Sequence, residues 1–187
     1  LALIFRGKGK IGSPDAEGNN KSQAKTRQNC KKYFFSHENG PKYMISRSAC
    51  QRKGLLLGCK KQMDITFLGH SSFRIKGRTA SLITDPFDPE MVGLRYSPGE
   101  ADIVTVSHEH KDHNQVSLVK GVKKVVAGVG EYEIMGVSII GLASFHDDKK
   151  GALRGKNTIY IIETDGFRVA HLGDIGHELS EGEVEAI

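Results

Sequence analysis

The stretch Ser107-His108-Glu109-His110-Lys111-Asp112-His113 places three imidazoles and the Asp112 carboxylate on one short turn, directly after the hydrophobic run Ile103-Val104-Thr105-Val106. Crowding such groups together is costly unless something binds them, and neutral imidazole with carboxylate is a ligand set that zinc, manganese and iron accept. Leaving a strand, His108 and His110 are two residues apart and point to the same side, so both can reach one ion at about 2.0–2.1 Å. Asp112 and His113 lie further round the turn and aim elsewhere. A second ion about 3.5–4 Å from the first would use them, forming a two-metal clamp that activates water and holds substrate oxygens.

Two later fragments supply further donors, which argues against a surface turn that merely happens to be rich in His. Ser144-Phe145-His146-Asp147-Asp148 follows the alternating run Val137 to Leu142, and Phe167-Arg168-Val169-Ala170-His171-Leu172-Gly173-Asp174 is another strand-like run ending in a carboxylate. Both put donors at strand ends, where the loops of a layered sheet fold converge. His146 completes the first ion's ligands in this reading. A carboxylate can share its oxygens between two ions, which makes Asp174 the candidate bridge. The expected cofactor is Zn2+, one or two ions, with Mn2+ and Fe2+ accepted by the same donors.

With these residues in place the chain resembles the metallo-beta-lactamase superfamily of metal-dependent hydrolases. Phe67-Leu68-Gly69-His70-Ser71-Ser72-Phe73, Ile83-Thr84-Asp85-Pro86-Phe87 and His171-Leu172-Gly173-Asp174 are similar to its small stand-alone branch, which includes ascorbate-6-phosphate lactonase-like proteins. The resemblance runs from Met63 to the end of the chain. It implies an α+β fold, the αβ/βα sandwich, with a dinuclear site along one edge. It also implies hydrolysis by a metal-activated water, with Asp112 or Asp174 orienting the nucleophile, on a small ester, lactone or phosphoester. The family takes one more His from a C-terminal strand, whereas here only Ile175 to Ile187 follow Asp174. The chain therefore reads as truncated at its C-terminus, a fragment whose second metal position lacks a ligand. Such a fragment could bind metal without turning anything over.

Other residues admit two readings each. His70 is either beside the metals, in contact with ligands or substrate, or a plain turn residue. Asp85, ahead of Pro86 at a strand end, could accept the free ring N–H of a metal-bound His, an arrangement that ligating imidazoles usually require; otherwise it is a turn-forming Asp-Pro. His171 reads as a core or supporting residue rather than a ligand, and His37 and His177 as surface residues. Lys149, Lys150, Arg154 and Lys156 form a solvated basic loop or a hold for an anionic substrate.

The elements that must position these groups are mostly short strands. Asp64 to Leu68, Ser72 to Ile75, Ser81 to Thr84, Ile103 to Val106, Lys124 to Ala127, Val137 to Leu142, Thr158 to Glu163 and Phe167 to His171 are the β-rich runs. Gly77-Arg78 and Asp165-Gly166 read as hairpin turns. Helix is expected only over Asn114 to Lys120 and from Ser180 onward, where Ser180 and Glu183 form a capping box.

Charge divides the chain in two. Residues 1–62 hold 14 Lys plus Arg against 3 Asp plus Glu, and residues 63–187 hold 13 against 19, so the net +5 describes neither part. Residues 1–62 read as a basic extension, either disordered, or upstream sequence ahead of a start at Met63, or a nucleic-acid-binding arm carrying Tyr33, Phe34 and Phe35. Nucleic acid is the least favoured partner; a small-molecule substrate is expected. An unpaired strand edge would invite homo-oligomers. Cys30, Cys50 and Cys59 form no C-x-x-C pair, which indicates neither a disulfide scaffold nor a zinc knuckle. No apolar run approaches the about 20 residues of a spanning helix, so the default expectation is a cytoplasmic protein without a membrane segment.

Overall fold

Runs whose residues are apolar throughout must be covered on both faces, and runs that alternate need cover on one; the chain contains both kinds and stacks them as two sheets. The computed structural model describes residues 63–187 and, ahead of them, the strands β1 (Leu3–Gly7) and β2 (Tyr33–Phe35). The first sheet has the order β3-β4-β5-β6-β7, with β3 (Asp64–Gly69), β4 (Ser72–Lys76) and β5 (Ser81–Thr84) antiparallel, β6 (Ile103–Val106) parallel to β5, and β7 (Lys124–Ala127) parallel to β6. β6 is buried at all four positions, as expected of an inner parallel strand.

The second sheet is antiparallel and runs β2-β1-β11-β10-β9-β8, built from β8 (Gly130–Ile134), β9 (Val137–Phe145), β10 (Lys156–Thr164) and β11 (Phe167–His171). Two of its turns, Met135-Gly136 and Asp165-Gly166, have both central residues at positive φ, the left-handed pair that matches the twist of a two-residue hairpin. β1 lies along β11, pairing Leu3 with His171 through Gly7 with Phe167. That edge of β11 is thus covered by the extension's own strand. The remainder of residues 1–62, and the disorder expected of it, lie outside the described residues.

Between the sheets sit Phe73, Ile75, Leu82, Ile103 and Val126 from the first, and Val137, Ile139, Tyr160, Ile162 and Val169 from the second, all buried. This is a two-layer sandwich core. Outside it, Ile83, Val104 and Val106 pack against Val116 and Val119, while Ile159, Ala170 and Leu172 pack against Ile187 and Leu179. The two sheets are also joined through polar groups at one end. Tyr160 Oη donates to the Val106 carbonyl at 2.8 Å and accepts from Gly128 N at 2.9 Å, and Thr158 N donates to the Ser107 carbonyl at 2.9 Å. The His-rich turn therefore begins at a point anchored to both layers.

Little of the described chain is helical. α1 (Pro89–Val92) is a single turn capped by Asp88 and ended by Gly93, and α2 (Glu181–Ala186) starts at the expected Ser180–Glu183 capping box. The helix expected over Asn114 to Lys120 is only a 3-10 turn at Val116–Leu118. Gln115 N is drawn to the Pro86 carbonyl at 2.7 Å and Val119 is already extended, so the segment is used to cover the first sheet instead. β8 was not among the runs read as strands, although Tyr132 and Ile134 alternate with Glu131 and Glu133 in it.

Asp102 ties the layer containing the site together. Its carboxylate accepts from Lys123 Nζ at 2.8 Å, and from Ser81 N and Oγ at 2.9 Å each, linking the starts of β5, β6 and β7. The Lys123 contact, then the Ser81 hydrogen bonds, pull its pKa down to about 2. A depressed acid contributes stability that is present above its unfolded-state pKa and is lost as pH falls through the folded one. Asp102→Asn should therefore lower the melting temperature at pH 7 by about 2–4 °C, the equivalent of about 1 kcal/mol for a part-exposed charged contact. The difference from the parent should shrink below pH 4 and vanish near pH 2 in thermal melts followed by circular dichroism.

Candidate metal centre

Five strand ends converge on one edge of the sandwich. The β3–β4 turn brings His70, the end of β5 brings Asp85, the turn after β6 carries residues 107–113, β9 ends one residue before His146, and β11 leads into Asp174. Two of these positions are held in backbone conformations that side chains other than glycine rarely adopt, His70 at φ 48° and Asp85 at φ 36°. Strain of this kind costs about 1–3 kcal/mol and persists only where the surroundings impose it.

Asp85 shows what imposes it. Its carboxylate is fully buried, and both oxygens are occupied: Ser107 N donates to Oδ1 at 2.8 Å, while Ser107 Oγ at 2.5 Å and His113 Nδ1 at 2.8 Å donate to Oδ2. With its proton given to Asp85, Ser107 Oγ accepts from His108 Nδ1 at 2.9 Å. One carboxylate thus sets two imidazoles, His113 directly and His108 through Ser107, each with Nδ1 protonated and Nε2 turned inward. Burial would raise the pKa of Asp85, but His171, His113 and Ser107 outweigh it and hold the acid below its ordinary value. Asp85, His108 and His113 lie close enough to suggest a metal group of their own. The saturated carboxylate makes Asp85 a support for the ligands rather than a ligand, as the sequence suggested.

The inward nitrogens form two donor groups. One donor atom from each of His108, His110 and His146 lies within 4.8 Å of the others, and the same holds for His70, Asp112 and His113. Asp174 stands between the groups, with Oδ2 at 3.3 Å from His113 Nε2 and 3.7 Å from His146 Nε2. The test of fit to a cation is His108 Nε2, which is buried and has no hydrogen-bond partner. An orphaned buried acceptor costs about 1–3 kcal/mol, and a Lewis acid between His108, His110 and His146 would satisfy it. Desolvation, then the charge of His113, pushes the pKa of His108 down to about 4, so the ring is neutral and ready to ligate at pH 7.

His113 behaves differently. Burial opposes its charge, yet the Asp174 and Asp85 contacts prevail and raise its pKa to about 9, so a cation entering here displaces a proton. Asp174 is held below the ordinary carboxylate range: burial works the other way, but the His113 hydrogen bond and the charges of His113, His108 and His146 win.

All the residues picked out by type and spacing, His108, His110, Asp112, His113, His146 and Asp174 with His70 and Asp85, thus meet at this edge. Several others with a part here carried weaker signals. Ser107 stood in the motif without an assigned role, although a hydroxyl next to a buried Asp and a His was a usable clue. Asn157 donates to Ser144 Oγ at 2.7 Å and the Leu172 carbonyl at 2.9 Å, and accepts from Asp174 N at 3.1 Å, which fixes the bridging candidate. A Cβ on Gly173 would meet Asn157 and Ser107, and one on Gly176 would meet the His146 backbone, so this passage admits only glycine at both places. Asp147 points away from the donors. Its carboxylate accepts from the backbone N–H groups of Lys149, Gly151, Leu153 and Arg154, folding the basic loop into a fixed shape.

The remaining described histidines join neither donor group. His171 is fully buried, with Nε2 donating to the Ser71 carbonyl at 3.0 Å, and desolvation keeps its pKa low. His177 is half-buried rather than on the surface, with Nδ1 donating to the Glu178 carbonyl at 2.8 Å and Nε2 accepting from Phe145 N at 3.3 Å. His37 lies outside the described residues.

A two-sheet sandwich with a His/Asp donor cluster at one edge is the design of a metal-binding domain of the metallo-beta-lactamase type. The chain belongs to the beta-lactamase superfamily domain family, which it matches over residues 64–187. It is 30% identical to a UPF0173 metal-dependent hydrolase of Korarchaeum cryptofilum, covering 60% of each chain. It is 29% identical to one of Thermococcus onnurineus, covering 60% of this chain and 61% of that one. Among solved structures it is similar to a Thermotoga maritima protein of the metallo-beta-lactamase superfamily, described provisionally as a Zn-dependent hydrolase, with a TM-score of 0.54, 39% identity and coverage of 67% of this chain and 57% of that one. The chain spans about 60% of the length of the curated relatives it matches.

The Ser107 relay yields a direct test. Ser107→Ala removes one donor from Asp85 and leaves His108 Nδ1 without its acceptor. Zinc affinity measured by calorimetry should fall by about 10- to 100-fold, the usual result of losing a partner behind a ligand. Asp85→Asn, which disturbs both imidazoles, should fall further.

Proposed function

We propose that this protein is a zinc-dependent hydrolase acting on a small ester, lactone or phosphoester. The observation that carries the reading is the buried, unpartnered Nε2 of His108, set in the Nδ1–H tautomer and grouped with His110 and His146. The relatives named as metal-dependent hydrolases support it. Three imidazoles suit zinc, and the adjoining carboxylates leave manganese and iron as alternatives. Bound there, such an ion supplies Lewis acidity and makes water acidic near neutral pH.

The chain's own groups divide the remaining work. Asp112 and Asp174 are part-exposed, with 23% and 27% of their side chains open to solvent, so both can meet an incoming water and substrate. Asp174 is held as a carboxylate and accepts hydrogen bonds without taking up the proton. Asp112 lies on the open side, with Oδ2 at 3.6 Å from His113 Nε2, and orients the attacking water and receives its proton. Buried His108 and His113 stay fixed throughout by Asp85. The loop Lys149, Lys150 and Arg154, shaped by Asp147, begins three residues past His146 and offers positive charge to an anionic substrate.

The test is hydrolysis by the purified chain, loaded with zinc or manganese, of p-nitrophenyl esters, bis(p-nitrophenyl) phosphate and simple lactones. Turnover should require metal, should disappear in His110→Ala, and should fall by about 100-fold or more in Asp112→Asn, within the range for loss of a positioned general base. Metal uptake without turnover on any of these substrates would leave a metal-binding domain that is not a hydrolase of this class.

A further inference from the structure

The donor separations around His113 divide into two kinds. On its Nδ1 side the contact with Asp85 Oδ2 is 2.8 Å, an ordinary charge-assisted hydrogen bond. On its Nε2 side the neighbours stand further off, with Asp174 Oδ2 at 3.3 Å and Asp112 Oδ2 at 3.6 Å, and His70 Nε2 lies 3.3 Å from Asp112 Oδ2. Four donors around a tetrahedral ion with ligand bonds of about 2.0–2.1 Å are separated by about 3.3–3.4 Å along each edge. The three spacings on the Nε2 side are long for charge-assisted hydrogen bonds and fall near that edge length, as the spacings of co-ligands would.

We propose that His70 is a direct ligand of a second divalent cation, held with Asp112, His113 and Asp174. This rests on the reading of the edge as a metal centre and moves His70 from a supporting place to the coordination sphere. The site is built toward it. The residue after His70 is pinned by two buried donors on the Ser71 carbonyl, His171 Nε2 at 3.0 Å and Thr84 Oγ1 at 3.2 Å. The imidazole is flanked edge-on by Phe87, with centroids 5.9 Å apart, and by His113 at 5.0 Å. At φ 48° a glycine or asparagine would complete the same turn with less strain. Among the described residues, His171 and His177 join no such donor group.

The experiment uses the full 187-residue chain, stripped of metal and titrated with Zn2+ by calorimetry and with Co2+ by absorption spectroscopy. The parent should take up two equivalents. His70→Asn, which tolerates positive φ, and His70→Ala should each keep one tight equivalent, assigned to His108, His110 and His146, and bind the second at least about 100-fold more weakly. The retained first equivalent shows that the variant is folded. A second measurement needs no variant: diethylpyrocarbonate should modify His70 in the metal-free parent and in the one-equivalent form, and not at two equivalents.

Two equally tight equivalents in both His70 variants, or a His70 still modified at two equivalents, would overturn the proposal and leave the hydrolase reading standing. So would a parent that binds a single equivalent unaffected by either variant. A parent that binds no cation at all would overturn both.

Discussion

A carboxylate with no access to water is the constraint on which the rest of this structure depends. Burying an ionised Asp costs several kcal/mol unless its oxygens are occupied, and Asp85 is occupied by Ser107 N, Ser107 Oγ and His113 Nδ1. Each of these contacts dictates something beyond itself. The Ser107 backbone bond fixes where the turn after β6 begins. The hydroxyl bond leaves Ser107 Oγ as an acceptor and so selects the tautomer of His108. The imidazole bond does the same for His113, which belongs to the other donor group. Both groups therefore take their orientation from one buried charge, and the strained φ of Asp85 is the local cost of putting it there.

Such a charge can be held only where two layers close over it. The parallel pairing of β5 with β6 continues past the strand end, with Asp85 N on the Thr105 carbonyl at 2.9 Å, so the Asp and the His-rich turn come from adjacent parallel strands. Tyr160 and Thr158 reach from the opposite sheet to the carbonyls of Val106 and Ser107, and Asn157, next in line on β10, holds the chain into Asp174. Three residues of one strand, Asn157, Thr158 and Tyr160, thus serve the opposite sheet or the site. This explains why β10 is buried over Asn157 to Ile162 although β9 beside it largely alternates.

Much of this was legible in the residues. β5, β6, β7 and β11 fall close to where their apolar runs begin and end, because each has a glycine or a charged residue at one end at least. The donors were legible for another reason: His, His, Asp and His at strand-exit spacing have few uses other than binding a cation. Less accessible was anything decided by contacts distant in sequence. β9 and β10 run to nine residues each because they pair with one another well beyond their apolar centres. The segment 114–120 has helical composition but is claimed by Pro86 and by the outer face of the first sheet. Ser107, Asn157 and Asp147 are small polar residues whose roles depend on partners that the sequence does not place beside them. His70 and Asp85 stood open between turn and site because a His after Gly69 and an Asp before Pro86 suit either, and only the geometry separates the two.

The central claim is that Asp85 fixes His108 and His113 with Nδ1 protonated and Nε2 facing the cation site, free on His108 and giving up its proton on His113. Long-range 1H–15N correlation spectra of the imidazole rings in the 15N-labelled chain read this most directly. At pH 7, before metal is added, His108 should show a protonated Nδ1 and an unprotonated Nε2, and the Nε2 resonance should be the one displaced when zinc is added. A His108 ring protonated at Nε2, or an Nε2 resonance that zinc leaves in place, would contradict the account.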